Sequence, residues 1–261
     1  MKRENLVHFH QWFHNYVSSF YSTDTHIQKN IVLKEEHTVR VVKNIINLAN
    51  SLNLTEGEMD IAETIALFHD IGRFEQFSKY QTYRDGKSEN HALLGLRVLE
   101  ETKVLHCLEP EEKILIQKSI GYHNVCSLPF DEEDKVLLFS RLIRDADKLD
   151  SLDIIVNYME NRDQEKNEAL EDYPDTPDYS ARLIDDLMNN RNIDYTQVKT
   201  VNDMKLTFLA WLLDVNFNLT LREMQEKQYL ERIIDVLPRS EVIRKVYHHL
   251  REYIASSIRK S

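Results

Sequence analysis

Glycine and proline, the residues that most often interrupt regular structure, are scarce in this sequence. The 261 residues include 5 Gly and 5 Pro, whereas average usage gives roughly 30 of the two together. A β-sandwich or barrel needs frequent turns, so the shortage argues against both and favours long helices. With 42% hydrophobic and 30% charged residues, the composition is that of a globular protein. We therefore expect an all-α protein.

The sequence also lacks a disulfide framework, a membrane span and an excess of basic residues. Its two cysteines, Cys107 and Cys126, form no CxxC pair, and free thiols suit a reducing compartment. No apolar run approaches the roughly 20 residues of a membrane span, and residues 1–8 lack a signal-peptide core. The net charge of −11 opposes binding to nucleic acid or to an anionic membrane. We expect a cytoplasmic protein with neither partner, and the oligomeric state is left open.

Apolar residues recur with helical spacing along most of the chain. The i, i+3, i+4 pattern predicts a helix over about residues 34–52. Thr55, followed three residues later by Glu58, predicts a capping box that begins the next helix. We expect Gly72 to end that helix.

Two stretches lack this periodicity. Residues 71–88 have no clear repeat and an excess of positive charge, which predicts a long loop of the kind that is often functional. Residues 159–178 are polar and acidic, which predicts a solvated connection. Because no repeat, low-complexity tract or flexible linker divides the sequence, we expect one helical domain with C-terminal helical additions.

Histidine and aspartate occur where predicted helices end or where a polar side chain would interrupt an apolar face. Neutral imidazole and carboxylate groups bind borderline divalent metals such as Mn, Fe, Co, Ni and Zn. Adjacent residues on a helix diverge by about 100°, so His69 and Asp70 could address neighbouring points of a dinuclear centre. The candidate ligands are His37, His69, Asp70, His91, His123 and Asp147.

The order of these residues resembles the HD-domain superfamily of metal-dependent phosphohydrolases. Residues 66–73, Ala-Leu-Phe-His-Asp-Ile-Gly-Arg, are similar to its helix-ending HD segment. Residues 146–150, Ala-Asp-Lys-Leu-Asp, are similar to its closing aspartate motif. His91 with Gly95, and His123, match the two additional histidines of its two-metal members.

The stretch from Arg73 to Gly95 further resembles an uncharacterised bacterial group of HD-domain hydrolases. The whole resemblance covers about residues 30–155. It implies an all-α HD-domain helical bundle with additional N- and C-terminal helices. We expect residues 1–261 to form a single domain, with the HD core at about 30–155 and the C-terminal extension at about 156–261.

The resemblance implies two metal positions that share Asp70. The residues implied for the first position are His37, His69, Asp70 and Asp147. His91 and His123 are implied for the second, with Asp70 bridging. Asp147 matches the family's aspartate before a basic residue, whereas Asp145 is kept as the alternative ligand. One or two divalent transition metals are therefore expected.

Such a centre suits hydrolysis of a small phosphorylated substrate, which we expect to be a nucleotide or a related phosphoester. Two metals lower the pKa of a bridging water and neutralise the charge of the phosphate. Asp70 and Lys148 are the expected catalytic residues. The expected substrate-binding residues are Arg73, Arg84, Lys87, Asn124 and Lys148.

Two other functions are compatible with the same residues. Some proteins with a two-metal, four-histidine arrangement are di-iron oxygenases that cleave carbon–carbon or carbon–phosphorus bonds. A third possibility is a non-catalytic module that binds a nucleotide. The sequence retains every expected ligand, which argues against the third possibility, and metal identity would separate the first two.

Overall fold

The computed structural model describes residues 1–161, 173–191 and 193–259, and these contain no β-strand. The expectation of an all-α fold is therefore confirmed. Contacts divide the chain into two compact units, Met1–Asp150 and Ser151–Ser261. The expected single domain stays a prediction. Among the described residues, no helix combines the length and the apolar character of a transmembrane span.

The first unit consists of α-helices and the segments that connect them. The predicted helix over residues 34–52 is the greater part of a longer helix, α2, and the predicted capping box of Thr55 and Glu58 is present at the start of α3. The helices are α1 (Arg3–Ser18), α2 (Thr25–Ser51), α3 (Glu56–Phe68), α4 (Gly72–Tyr80), α5 (His91–Glu101), α6 (Pro110–Tyr122) and α7 (Asp134–Glu160), the last of which contains the boundary between the units.

Helix α3 lies at the centre of the first unit, and most of its residues are therefore buried. It packs against α1, α2 and α6, and its apolar residues Ile65, Ala66 and Phe68 are fully buried. The ring of Phe68 makes edge contacts with Phe9 and Trp12 of α1, at centroid distances of 5.6 and 5.7 Å. A central helix places the residues that follow its last turn inside the unit.

The prediction of a loop over residues 71–88 is wrong for its first half, which forms α4. Phe74 and Phe77 of α4 are fully buried, and so is Gln76 between them. Because a polar residue lies on the buried face, hydrophobic residues do not recur with clear helical spacing in this segment. Gly72 accordingly begins α4 and does not end α3, which ends at Phe68.

Gly72 and Gly95 allow α4 and α5 to approach each other closely. A Cβ atom added at Gly72 would lie 2.3 Å from the carbonyl oxygen of His91 and 2.5 Å from the amide nitrogen of Gly95. Both are backbone atoms and cannot rotate away. The start of α5, which carries His91, is therefore fixed against the start of α4.

The second unit is also helical over its described part. Of the polar stretch predicted at 159–178, the start belongs to α7, residues 173–178 are non-helical, and residues 162–172 lie outside the described part. The fully buried Asp203 accepts hydrogen bonds from the amides of Ser180, Lys199 and Thr200. The helices of this unit after α7 are Ala181–Met188, Val201–Trp211, Asn218–Glu226, Tyr229–Asp235 and Glu241–Arg259.

Replacing Gly72 with alanine should destabilise the protein because the new methyl group would push the two helices apart. Overpacking of this kind typically lowers the free energy of unfolding by about 1–3 kcal/mol. The matched control is Gly86→Ala, since a Cβ at Gly86 meets no atom within 4 Å. Urea unfolding of both variants measures the difference, and equal stabilities would contradict the close approach.

Candidate metal centre

Two groups of buried ligand atoms share one carboxylate in the first unit. The first group consists of His37, His69 and Asp70, and the second of Asp70, His91 and His123. Within each group, the candidate ligand atoms lie within 4.8 Å of one another. The five side chains come from α2, from the residues after α3 and α6, and from the start of α5.

Asp70 lies between the two groups and presents one oxygen to each. Its Oδ2 is 3.5 Å from Nε2 of His37 and 3.7 Å from Nε2 of His69. Its Oδ1 is 3.5 Å from Nε2 of His91 and 3.9 Å from Nε2 of His123. All four imidazoles therefore direct the same ring nitrogen at one carboxylate.

In the second group, the two imidazoles direct lone pairs at each other. Nδ1 of His123 lies 2.7 Å from the carbonyl oxygen of Ile120, to which it must donate. Nδ1 of His91 donates to Oδ2 of Asp85 at 2.8 Å. Burial lowers the pKa of both histidines to about 4, so both rings are neutral at neutral pH. Their Nε2 atoms, 2.9 Å apart, are then both acceptors, an arrangement that suits a cation.

The rings of the first group are also held by contacts at Nδ1. Nδ1 of His69 donates to the carbonyl oxygen of Ala66 at 2.8 Å, and its buried Nε2 has no hydrogen-bond partner among the described residues. Nδ1 of His37 is 2.6 Å from Oδ2 of Asp150. A second hydrogen bond of this kind, which fixes ring orientation, is characteristic of metal-binding histidines.

Two carboxylates outside the groups hold one histidine each. Asp150 accepts from Nε of Arg40 at 2.5 Å as well as from His37. Asp85, in the short segment between α4 and α5, accepts from Nε2 of Gln76 at 2.9 Å as well as from His91. Neither carboxylate was identified as functional from the sequence. The available signal was that Asp150 is the second aspartate of the closing motif at residues 146–150.

Asp147 borders the first group. Its Oδ1 is 3.2 Å from Nε2 of His37 and 3.9 Å from Nε2 of His69. Asp145, the alternative ligand, is fully buried, and neither group of described residues contains either aspartate. The choice of Asp147 as the ligand from α7 therefore stays a prediction.

The carboxylates of the centre are ionised at neutral pH. Burial by itself raises the pKa of Asp70, but the neighbouring Lys34, His69 and Arg73 outweigh burial and hold that pKa well below its usual range. The pKa of Asp147 is likewise lowered, because its interactions with His37 outweigh burial. Two ionised carboxylates among imidazoles, Asp70 buried and Asp147 half-buried, favour a bound cation.

Two of the expected substrate-binding residues bond to the protein itself. Arg73 donates to the carbonyl oxygen of Tyr83 at 2.5 Å, to Asp85 at 3.1 Å and to Asp70 at 3.4 Å. Asn124 donates to Asp85 at 3.4 Å. Both side chains therefore help to hold Asp85 against the second group.

The remaining expected cations differ in exposure. Lys148 is half-buried and follows Asp147 on α7. Arg84 is half-buried and Lys87 is exposed, both between α4 and α5. Their contact with substrate stays a prediction. Sequence reasoning also missed Lys34, whose Nζ lies 2.8 Å from Oδ2 of Asp70. The available signal was its position one helical turn before His37.

The comparison with protein families agrees with this geometry. The model of the HD domain family matches residues 35–152, a segment that contains all six expected metal ligands. No curated protein and no solved structure matches the chain.

We expect Asp85→Asn and Asp150→Asn each to weaken one metal position. Loss of a carboxylate behind a metal-binding histidine typically lowers metal affinity about 10–100-fold. Asp85→Asn should affect the position of His91, and Asp150→Asn that of His37. Titration of metal-free protein with Mn²⁺ or Zn²⁺ measures both affinities.

The control for these variants is Glu89→Gln, which removes one charge from a carboxylate that binds Arg97 at 2.8 Å on the surface. Its two metal affinities should equal those of the unmodified protein. Equal affinities in Asp85→Asn would remove Asp85 from the support of the second position.

Metal binding should release a proton from His37. Burial and Lys34 lower its pKa, but hydrogen bonds to Asp147, Asp150 and Asp70 outweigh them and raise it from 6.5 to about 10. The ring is therefore charged at neutral pH without metal, and binding should release about one proton per chain. Calorimetric titration in buffers of different ionisation enthalpy measures that number. Metal affinity should rise with pH up to about 10, and binding without proton release would contradict the prediction.

Proposed function

We propose, on the premise that residues 35–152 form an HD domain, that this protein is a metal-dependent phosphohydrolase of a small phosphorylated substrate. The observation that supports this most is the convergence of four imidazole Nε2 atoms on the two oxygens of Asp70. The substrate we propose is a nucleotide or a related phosphoester.

The donor set fits one or two divalent transition metals from the series Mn, Fe, Co, Ni and Zn. His37, His69, Asp70 and Asp147 would hold the first, and His91 and His123 would hold the second together with Asp70. Such metals, when bound, supply a water of lowered pKa and neutralise the phosphoryl charge. The buried Nε2 of His69, which has no hydrogen-bond partner among the described residues, supports this assignment because a bound cation would satisfy its lone pair.

The protein's own side chains then have three tasks. The hydrogen bonds to Nδ1 keep each ring in one tautomer and one orientation. Asp70 and Asp147 stay ionised and supply negative charge beside the imidazoles. Lys148, Arg84 and Lys87 would attract the anionic substrate, whereas Arg73 and Asn124 act chiefly through Asp85.

Removal of Asp70 should abolish both metal binding and phosphoester hydrolysis, because Asp70 contributes to both groups. We expect Asp70→Ala and His69→Ala to reduce the metal content per chain, measured by mass spectrometry, with unchanged helical circular dichroism. The control is His106→Ala, since His106 is exposed on the short segment Val104–Cys107.

The outcome separates the proposed function from its alternatives. Manganese, cobalt or zinc with hydrolysis of phosphoesters supports the proposal. Iron together with substrate-dependent oxygen uptake would instead identify an oxygenase. Full hydrolytic activity in Asp70→Ala, or no metal binding by the unmodified protein, would overturn the proposal.

A further inference from the structure

Lys34 brings a positive charge to the edge of the candidate metal centre. It lies on α2 one turn before His37, and its Nζ is 2.8 Å from Oδ2 of Asp70. This is the oxygen that faces the first group. The side chain retains 18% of its accessible surface, so the protein does not enclose it completely.

Tyr83 fixes the ammonium in this position. Nζ of Lys34 lies 5.5 Å from the centroid of the Tyr83 ring, within the range of a cation–π interaction. The ring is held in turn, since its hydroxyl donates to the carbonyl oxygen of Asn30 at 2.8 Å and its face packs on Phe77 at 4.7 Å. The ammonium is therefore held by Asp70, which follows α3, and by Tyr83 in the segment after α4.

The other ordered cations around the centre have several acceptors each. Arg73 donates to Asp70, Gln76, Tyr83 and Asp85. Arg40 binds Asp150 with two nitrogens. Lys34 makes one hydrogen bond among the described residues, so two of its three N–H donors are available to an anion.

We propose that Lys34 is a substrate-binding residue whose ammonium binds a phosphoryl oxygen beside the first group, while Asp70 holds the ammonium in place. This inference rests on the proposed phosphohydrolase function and names a residue for it. Lys34 precedes the segment that matches the HD domain model, which begins at residue 35.

A lysine in this position has opposite effects on metal and phosphate. Its charge repels a divalent cation, and its hydrogen bond occupies Oδ2 of Asp70. Its charge attracts a phosphate anion at the same place. A lysine that only stabilised the fold would, when removed, weaken both metal and phosphate binding.

The test uses the full chain, loaded with Mn²⁺ or Zn²⁺, and inorganic phosphate as the probe. We expect Lys34→Gln to weaken phosphate binding by about tenfold or more, as the loss of a charge-assisted hydrogen bond does. Its affinity for the metal should equal or exceed that of the unmodified protein. Lys34→Arg should restore part of the phosphate affinity. Calorimetric titration measures the affinities for the metal and for phosphate.

The matched control is Lys43→Gln, which removes the same charge from an exposed position on the same helix. Its phosphate affinity should stay within about twofold of the unmodified protein, because screened surface charges act weakly over distance. Equal phosphate affinities in Lys34→Gln and Lys43→Gln would overturn the inference, as would a parallel loss of metal and phosphate in Lys34→Gln.

Failure of this inference is distinguishable from failure of the proposed function. If the unmodified, metal-loaded protein binds phosphate and Lys34→Gln binds it equally well, only the role of Lys34 is wrong. If the unmodified protein binds metal but neither binds phosphate nor hydrolyses phosphoesters, both the function and the inference are overturned.

Discussion

The buried, ionised carboxylate of Asp70 is the feature on which the rest of the centre depends. It is 3% exposed, and each of its oxygens faces two imidazole nitrogens. A carboxylate at this depth is unfavourable unless positive charge or hydrogen-bond donors surround it. Lys34 and Arg73 supply part of that charge from α2 and α4. Imidazoles from α2, from the start of α5 and from the residues after α3 and α6 complete its surroundings.

The positions of the histidines in their helices explain how each ring is oriented. His69 and His123 are the C-cap residues of α3 and α6, where backbone carbonyls have no partner within the helix. Each ring therefore bonds the carbonyl three residues earlier. His37 lies within α2 and His91 begins α5, so neither has such a carbonyl nearby. A side-chain carboxylate performs the same task for each of them.

The sequence was sufficient to predict the helical class and to select the residues that meet in the two groups. The HD segment, the closing aspartate motif and two spaced histidines are local patterns, which can be recognised without knowledge of the fold. Asp150 and Asp85 were missed because their roles depend on contacts between elements, and Asp150 is 113 positions from His37. Helix α4 was missed because the buried Gln76 forms polar contacts where an apolar residue would be expected.

Each carboxylate that orients a histidine from outside the two groups also binds an arginine. Arg40 binds Asp150 with two nitrogens, at 2.5 and 3.2 Å, and Arg73 lies closer to Asp85, at 3.1 Å, than to Asp70, at 3.4 Å. The accessory carboxylates thus accept from imidazole while an arginine balances their charge. Asp70 and Asp147 instead face the Nε2 atoms, at 3.5 and 3.2 Å from that of His37. The carboxylates that orient the rings from behind are thus different from those at the point where the Nε2 atoms converge.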